Sequence, residues 1–427
     1  MRGMGYKDFI QRDYKPSRTN DVICTFYVEP AAGVDFDWCA GAVAAESSIG
    51  TWDPELSTMS EEARKYGAAV FDMNPEQRTF KVAYPLDLFE LGSFPQYLSS
   101  VTGNVYGLKE VKHLRLLDNE FPEKFVRAFK GPQLGLDGAR KLTGVRDRPF
   151  FGTIIKPKLG LSADRWAQAA YDAWVGGLDI VKDDENLTSM TFNNFYDRAK
   201  KVVEMKKKAE RETGEKKLYF CNISAPVGEM KKRADYLIGL GNEYVMIDIL
   251  TVGWAGLQEM RDHLDGKGVG IHAHRAQHGA YTKLDYHGID FMPIAQWARI
   301  AGCDNLHAGS VGAGKMFVEG GMSHAKKIYQ FLQSDYHGLR KTLPIASGGL
   351  HPGVVPHVIQ NVGKDIACMA GGGVHGHPQG SRAGAQAFRA ATEAALAGHS
   401  LEDAAKKSPA LAAALKKWGT KVVGGSE

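Results

Sequence analysis

A lysine and two carboxylates stand close together in the segment 182–186, which reads KDDEN and directly follows a short apolar run. In an extended strand alternate side chains point the same way, so Lys182 and Asp184 share one side and Glu185 follows at the turn. Carboxylate oxygens with retained waters form the environment that Mg²⁺ prefers. The spacing therefore predicts a magnesium site at the end of this strand.

The lysine in this group allows two interpretations. Its ammonium would repel a metal ion, so Lys182 either forms an ordinary salt bridge with the acids or is neutralised and chemically converted into an oxygen donor. The residue types alone leave both possibilities open.

Cationic and imidazole side chains lie at the end of several other apolar runs or just after them. Lys156 and Lys158 flank a proline after one of them. Further side chains of this kind are His272, His274, Arg275, His278, His307 and Lys315. An arginine fork suits phosphate, and glycines beside the last lysine would let its loop move as a lid. These positions predict a site for an anionic substrate.

Glycine-rich turns follow two more apolar runs, as Ser347–Gly349 and Gly371–Gly373. Backbone amides in such turns can form anion-binding nests, and barrels frequently hold phosphate after strands seven and eight. If these turns and the cationic side chains above lie on different sides of one barrel opening, here called the mouth, they fit a substrate with two phosphates. No nucleotide-type phosphate loop or dinucleotide glycine motif occurs in a strand–turn–helix context.

Eight short apolar or β-branched runs recur from about residue 145, each followed by polar or glycine-rich residues and a helical pattern. They span residues 150–155, 178–181, 218–223, 244–249, 269–274, 305–309, 343–347 and 365–370. Eight strands alternating with helices predict a closed (β/α)₈ TIM barrel. Because residues just after the strands of such a barrel share one face, we expect the polar side chains above to converge.

The first 140 residues show a different order: strand, helix, two hairpin-like strands, helix and strand. The order β-α-β-β-α-β predicts a small ferredoxin-like α+β domain. We therefore predict an α/β protein with an N-terminal ferredoxin-like domain over residues 1–138 and a (β/α)₈ barrel catalytic domain over residues 139–427.

The composition argues against several classes of protein. A formal net charge of +4, from 53 basic and 49 acidic residues, is too small to indicate a nucleic-acid or membrane partner. Five scattered cysteines without a C-x-x-C pair argue against a disulfide framework and a zinc knuckle. No segment reaches the roughly 18 apolar residues that span a bilayer, and no apolar signal core is present. We expect a cytoplasmic protein.

Six segments occur in order along the barrel: GTIIKPKLGLS, GGLDIVKDDEN, HAHRAQH, HAGSVGAGK, ASGGLHPG and AGGGVHGHPQG. Together with AAESSIGTW and VTGNVYGLK in the N-terminal region, they resemble the signatures of the ribulose-1,5-bisphosphate carboxylase/oxygenase (RuBisCO) large-subunit family. The resemblance covers nearly the whole chain, and the ending is similar to the archaeal-type, form III members.

The resemblance implies a magnesium-dependent carboxy-lyase. Such an enzyme adds CO₂ to the enediolate of ribulose 1,5-bisphosphate to give two 3-phosphoglycerate molecules, with oxygenation by O₂ as a side reaction. Lys182 would take up an activating CO₂ as a carbamate and join Asp184 and Glu185 around Mg²⁺. The second carbamate oxygen would remove the C3 proton of the sugar.

The resemblance also implies roles for three other catalytic residues. Lys156 is similar to the general acid of the final protonation, and His274 to a residue that assists proton transfers. Lys315 resembles the lysine that orients the gaseous substrate and stabilises the developing carboxylate.

The substrate-binding residues follow from the same resemblance. They are Glu46, Thr51, Trp52, Asn104, Lys158, Arg275, His307, Ser347, Gly348, Gly349, Gly371 and Gly372. In the family, Glu46, Thr51 and Asn104 reach the barrel of a neighbouring subunit, which implies a homodimer or a higher assembly of dimers. Nothing in the sequence indicates a small-subunit contact.

The chain departs from the plant-type pattern at two places. Ile154 stands where many plant-type enzymes have threonine. Phe317 and Val318 interrupt the acidic stretch that usually follows the loop lysine, which bears on loop closure.

Two other functions compete with the carboxylase. The main alternative is a RuBisCO-like enolase or isomerase acting on a related sugar phosphate, which retention of Lys156, Asn104, His307 and Lys315 disfavours. A non-catalytic phosphate-binding barrel is the third hypothesis, and it has no evident use for a lysine among metal ligands.

Overall fold

The computed structural model describes residues 4–314 and 320–422. Lys315, Phe317 and Val318 lie outside the described residues. The strands are β1 (Asp21–Pro30), β2 (Ala69–Asn74), β3 (Thr79–Pro85), β4 (Val111–Glu120), β5 (Phe150–Ile154), β6 (Ile180–Lys182), β7 (Leu218–Asn222), β8 (Tyr244–Asp248), β9 (Gly270–His274), β10 (Gly288–Ile289), β11 (Asn305–Gly309), β12 (Leu343–Ser347) and β13 (Ala367–Met369).

Helices alternate with these strands through most of the chain. They are α1 (Phe36–Glu46), α2 (Glu61–Arg64), α3 (Phe94–Val101), α4 (Glu123–Arg127), α5 (Gly135–Thr143), α6 (Ala163–Val175), α7 (Phe195–Thr213), α8 (Val227–Gly239), α9 (Ile249–Val252), α10 (Trp254–His263), α11 (Gly279–Thr282), α12 (Phe291–Ala301), α13 (Gly321–Gln333), α14 (Val355–Val362), α15 (Gly372–His375), α16 (Ser381–Leu396), α17 (Leu401–Lys407) and α18 (Pro409–Trp418).

The chain divides into two compact units. One comprises Met1–Lys130 with Gln277–Ile300, and the other comprises Gly131–Ala276 with Ala301–Glu427. The segment Gln277–Ile300, which the sequence pattern assigned to the barrel domain, is thus grouped with the N-terminal residues. The predicted domain boundary between residues 138 and 139 stays a prediction.

The first unit is built on a five-stranded sheet in the order β10-β4-β1-β3-β2. Strand β1 pairs antiparallel with both β3 and β4, while the two-residue β10 adds to β4 in parallel. The order of β1 to β4, with α1 and α3 between them, is the predicted ferredoxin-like arrangement. Buried Arg115 of β4 holds the chain on both sides of β10, by donating to the carbonyl of Thr282 before the strand and pairing with Asp290 after it.

The second unit contains the predicted barrel. Strands β5, β6, β7, β8, β9, β11, β12 and β13 close on themselves in that order, with parallel pairing throughout. All eight lie within or just beyond the apolar runs identified in the sequence, so the predicted fold class is confirmed. Parallel closure brings the carboxyl ends of all eight strands to one face.

The barrel interior is filled by side chains that alternate along the strands. The buried cluster includes Phe150, Ile180, Leu218, Phe220, Tyr244, Met246, Leu343, Ile345, Ala367 and Met369. Gly152 is required in β5 because a Cβ there would lie 2.1 Å from the Met369 sulfur. Such packing leaves the interior solid, so chemistry is confined to the strand ends.

Helix α5 closes the opposite end of the barrel. Its Leu136 and Ala139 pack into the interior cluster. The buried Asp304 carboxylate fixes the start of the helix by accepting hydrogen bonds from the backbone N–H groups of Leu134, Gly135 and Ile271. The Asp304 carboxylate therefore links the start of α5 to β9, because Ile271 belongs to that strand.

The two helices that flank β6 have clear boundaries in the sequence. Ser162 caps α6 by accepting from the Arg165 N–H, and Asn194 caps α7 by accepting from the Tyr196 N–H. Gly214 ends α7 with a left-handed φ of 69°. These caps fix the helices that pack behind the strand carrying Lys182.

Candidate active site

Strand β6 ends at Lys182, whose side chain is completely buried. Its Nζ donates to the carbonyl oxygen of Asp183 at 2.7 Å and lies 3.3 Å from Glu185 Oε2. The amine is therefore held between its own strand end and a carboxylate of the following turn. A buried ammonium needs such a partner, because an unpaired buried charge is very costly.

The two consecutive aspartates that follow β6 point to opposite sides of the chain. Asp184 is buried, and its Oδ2 pairs with Lys156 Nζ at 2.8 Å. The side chain of Asp183 faces the surrounding helices, where it accepts from Trp166 Nε1 at 2.9 Å and Tyr219 OH at 2.8 Å. The alternation of side chains in extended backbone thus directs Asp184 toward Lys156 at the mouth of the barrel and Asp183 toward Trp166 and Tyr219 on the outer side.

Asn222, at the end of β7, holds the turn that carries the acids. Its amide nitrogen lies within hydrogen-bond distance of the carbonyl oxygens of Asp184, Glu185 and Leu187, at 3.3, 3.0 and 3.1 Å. Sequence reasoning missed this residue. The available signal was its position at the end of the third apolar run.

His274 joins the acidic turn to the next strands. Its Nε2 lies 3.3 Å from Glu185 Oε2, and its Nδ1 lies 3.2 Å from Asp248 Oδ1. Asp248 ends β8, and the same oxygen accepts from the Ala276 N–H at 2.7 Å. Sequence reasoning missed Asp248 as well, although it is the last but one residue of the fourth apolar run.

Neighbouring charges shift the pKa values of this group in opposite directions. Burial raises the pKa of Glu185, but the positive charge of Lys182 and the hydrogen bond from its amine help to outweigh burial and hold the pKa at about 2. Burial and the charge of Lys182 lower the pKa of His274, and Asp248 opposes that shift. Glu185 is therefore an anion at neutral pH, and His274 is a neutral imidazole oriented by a carboxylate.

A second chain of polar groups crosses β9, β11 and β12. His272 Nε2 lies 3.1 Å from His307 Nε2, and His307 Nδ1 lies 2.7 Å from Ser347 Oγ. Burial lowers the pKa of both histidines well below the ordinary value, so both rings are neutral.

Several predicted anion-binding positions lie at the same strand ends. Gly348 and Gly349 follow Ser347 with φ values of 105° and 96°, which favour glycine. A Cβ on Gly309 would lie 3.4 Å from Arg275 Nη2, so the guanidinium lies against the end of β11.

The lysines after β5 flank this region. A Cβ on Gly371 would lie 2.8 Å from Lys156 Cε, so the close approach of this turn depends on glycine. Gly372 begins the short helix α15. Lys158 is exposed and donates to Asn186 Oδ1 at 3.2 Å.

The predicted positions in the N-terminal region belong to the first unit. Asn104 Nδ2 donates to Glu46 Oε1 at 3.1 Å, so these two residues form one polar pair. Thr51 is half-buried, and Trp52 is 80% exposed, which is unusual for so large an apolar side chain. Lys315 lies outside the described residues.

The unmodified side chains at the end of β6 do not supply enough oxygen ligands to hold a metal ion. Over residues 4–314 and 320–422, no group of three or more His, Cys, Asp and Glu side chains is placed to hold a metal ion. Asp184 and Glu185 supply two carboxylates beside Lys182, which fits a hard cation only if further oxygen ligands are added. No helix in the described part of the chain is long and apolar enough to cross a bilayer.

A closed parallel barrel that gathers a buried lysine, two acids and an oriented imidazole at its strand ends defines a TIM-barrel enzyme. Comparison with known proteins narrows this class. The model of the ribulose bisphosphate carboxylase large-chain catalytic domain matches residues 135–418, and that of the N-terminal domain matches residues 8–125. The chain belongs to the RuBisCO large-chain family.

Archaeal proteins are among its relatives. Ribulose bisphosphate carboxylase of Pyrococcus abyssi is 47% identical over 416 residues, covering 97% of each chain. The octameric Rubisco of Pyrococcus horikoshii is 46% identical with a TM-score of 0.92, covering 97% of this chain and 98% of that one. The dimeric Rubisco of Hyperthermus butylicus is 39% identical with a TM-score of 0.90, covering 97% and 100%.

These findings confirm the predicted family, its archaeal affinity and the carboxy-lyase class of enzyme. The alternative of an enolase or isomerase is not favoured, because the curated relatives carry the carboxylase name.

Proposed function

We propose that this chain adds CO₂ to the enediolate of ribulose 1,5-bisphosphate, giving two molecules of 3-phosphoglycerate, with oxygenation by O₂ as a side reaction. The observation that carries the proposal is the buried Lys182 amine, 3.3 Å from Glu185 and at the same strand end as Asp184. A catalytically inert barrel has no use for a buried lysine in this position.

The proposed metal is Mg²⁺, held by Asp184, Glu185 and Lys182 after an activating CO₂ has added to its amine as a carbamate. Addition of CO₂ replaces the ammonium by an anionic oxygen donor and releases protons, which supplies the ligand that the two carboxylates lack. Magnesium, when bound, polarises the oxygens of the sugar bisphosphate and makes the adjacent C–H more acidic.

The other catalytic residues move protons around this centre. Lys156, whose ammonium pairs with Asp184, is the proposed general acid of the final protonation. Neutral His274, oriented by Asp248, is proposed to assist proton transfer. Lys315 is proposed to orient CO₂ from its loop.

The substrate phosphates occupy opposite sides of the mouth in this proposal. Arg275, His307 and Ser347 bind one phosphate and sugar hydroxyls, and Lys158 supports the reacting end electrostatically. The residues proposed for the other phosphate are Thr51, Trp52, Gly348, Gly349, Gly371 and Gly372. Support comes from the two positive-φ glycines and from the arginine beside Gly309.

We also propose that the active unit is a homodimer, or a higher assembly of dimers, without a small subunit. Glu46, Thr51 and Asn104 of each copy would complete the site of the other. The Glu46–Asn104 pair supports this assignment by presenting both groups together. The proposed compartment is the cytoplasm, which suits five free, buried cysteines.

The test is a labelled-carbon assay. Purified protein is incubated with bicarbonate and Mg²⁺, then given ribulose 1,5-bisphosphate and ¹⁴CO₂, with and without O₂. We expect acid-stable label in 3-phosphoglycerate and a lower yield with O₂. Enolisation or isomerisation of a sugar phosphate without labelled acid would refute the proposal.

A further inference from the structure

His272 has no role in the proposed reaction, yet it is completely buried directly behind a proposed substrate-binding residue. It lies on β9, where its ring stacks on Phe220 with centroids 4.4 Å apart and an angle of 22°. Its Nε2 lies 3.1 Å from His307 Nε2. Such a contact requires a single hydrogen between the two nitrogens, so one ring donates and the other accepts.

Two arrangements satisfy this contact between neutral rings. Either His272 carries its hydrogen on Nε2 and donates to His307, or it carries the hydrogen on Nδ1 and accepts. The two arrangements differ at His272 Nδ1, which is buried and has no hydrogen-bond partner among residues 4–314 and 320–422. The second arrangement leaves a buried N–H without an acceptor, whereas the first leaves only an unused lone pair.

The first arrangement is favoured because an orphaned buried N–H is rarer than an under-used acceptor. His307 then accepts at Nε2, so its own hydrogen lies on Nδ1. That nitrogen lies 2.7 Å from Ser347 Oγ and donates to it. With its oxygen already accepting from an imidazole, the Ser347 hydroxyl has its own hydrogen available for another acceptor.

We propose that His272 is a positioning residue that fixes the hydrogen-bond direction of the chain His272–His307–Ser347, so that the Ser347 hydroxyl faces the bound substrate as a donor. The substrate part of this inference rests on the proposed function. A donor suits the phosphate and hydroxyl oxygens of a sugar bisphosphate. In the reverse direction the Ser347 hydroxyl would donate its hydrogen to His307 Nδ1. Only the lone pairs of Oγ would then face an anionic substrate oxygen.

The direction of the chain is tested independently of activity by neutron diffraction from deuterated crystals of the full protein. We expect deuterium on His272 Nε2 and His307 Nδ1. Deuterium on His272 Nδ1 would overturn the inference. This readout holds even if the protein fails to carboxylate ribulose bisphosphate, in which case only the proposed function fails.

Steady-state kinetics test the consequence for the substrate. His272→Phe keeps the stacking area and removes the donor, so we expect a rise of about tenfold in KM for ribulose bisphosphate with kcat within about threefold. His272→Gln, which offers an amide N–H, should restore KM to within about threefold of wild type. An unchanged KM in His272→Phe, or no recovery in His272→Gln, would count against the proposal.

A double-mutant cycle with Ser347→Ala separates positioning from a general packing effect. If His272 acts through Ser347, then His272→Phe should add less than about twofold to the KM of the Ser347→Ala variant. Independent, multiplying effects of the two substitutions would show that His272 does not act through the serine.

Discussion

Lys182 and Glu185 form an ion pair in which Nζ lies 3.3 Å from Oε2, with the lysine completely buried. The pair keeps the Glu185 carboxylate ionised, since its pKa lies at about 2 against the pull of burial. The same contact holds the amine at the strand end that Asp184 also follows. The pair therefore keeps Glu185 ionised and holds the Lys182 amine near Asp184 and Glu185, the other two proposed metal ligands.

Lys182→Arg should abolish carboxylation while leaving the ion pair in place. Arginine retains the positive charge, but its guanidinium is too basic to react with CO₂ at neutral pH. Loss of the proposed base should lower kcat by about 10²–10⁴-fold in the labelled assay. The matched control is Lys206→Arg, a buried lysine of α7 that pairs with Glu243, which should keep near-normal activity. Substantial activity in Lys182→Arg would remove the carbamate from the mechanism.

Asp248→Asn should lower turnover more than substrate affinity. The carboxylate faces His274 Nδ1 and accepts from Ala276 and Thr251, so it orients the ring without reaching the mouth itself. Substitution of such an outer partner typically costs about 10–100-fold, and we expect this loss in kcat with KM within about threefold. Equal kcat values in the variant and wild type would show that the ring is held by other contacts.

Gly371→Ala should displace Lys156. The backbone of Gly371 has φ −81°, which alanine adopts without strain, so the effect is purely steric. The new Cβ would lie 2.8 Å from Lys156 Cε, and a shift of about 1 Å in a reacting group can cost about 100-fold in kcat. Gly228→Ala in α8 is the control, because a Cβ there meets nothing within 4 Å. Equal kcat values in Gly371→Ala and the control would show that Lys156 tolerates the shift.

His375 should make folding stability sensitive to acid. Burial and the charge of Lys156 lower its pKa to about 4, whereas an unfolded histidine titrates near ~6.5. Between these values the unfolded chain binds a proton that the folded chain does not, so stability is complete above ~6.5 and falls as the pH is lowered.

His375→Gln removes this titration. Between pH 7 and 5, its free energy of unfolding should fall by about 2 kcal/mol less than that of wild type, measured by urea denaturation. The exposed His399→Gln should behave like wild type. An equal fall in His375→Gln and wild type would contradict the assignment.

Local pattern was sufficient to predict the barrel strands. Buried parallel strands are short continuous apolar runs, and the runs at 218–223 and 244–249 became β7 and β8 within one residue at their ends. Alternation also predicted that Lys182 and Asp184 share a side, because the period of a strand is fixed by its backbone.

The contacts that orient the site depend on which side chains at the ends of neighbouring strands come within hydrogen-bond distance, and the predicted order of the strands does not give these distances. Asn222 reaches the acidic turn because β7 pairs with β6, and Asp248 reaches His274 because β8 pairs with β9. The grouping of Gln277–Ile300 with the first unit was also missed. A two-residue strand such as β10, which pairs with β4 through its backbone, leaves almost no signal in side-chain types.

The opposite orientations of Asp183 and Asp184 make the end of β6 intolerant of length changes. Inserting or deleting one residue in this strand would exchange the positions of the two aspartates. Asp183 would turn toward the mouth, and Asp184 would be buried where Asp183 now contacts Trp166, Tyr219 and Arg198. Substitutions on the outer faces of α6 and α7 carry no such penalty. We expect homologous chains to vary in length between strands and to keep an unbroken count of residues from Ile180 to Glu185.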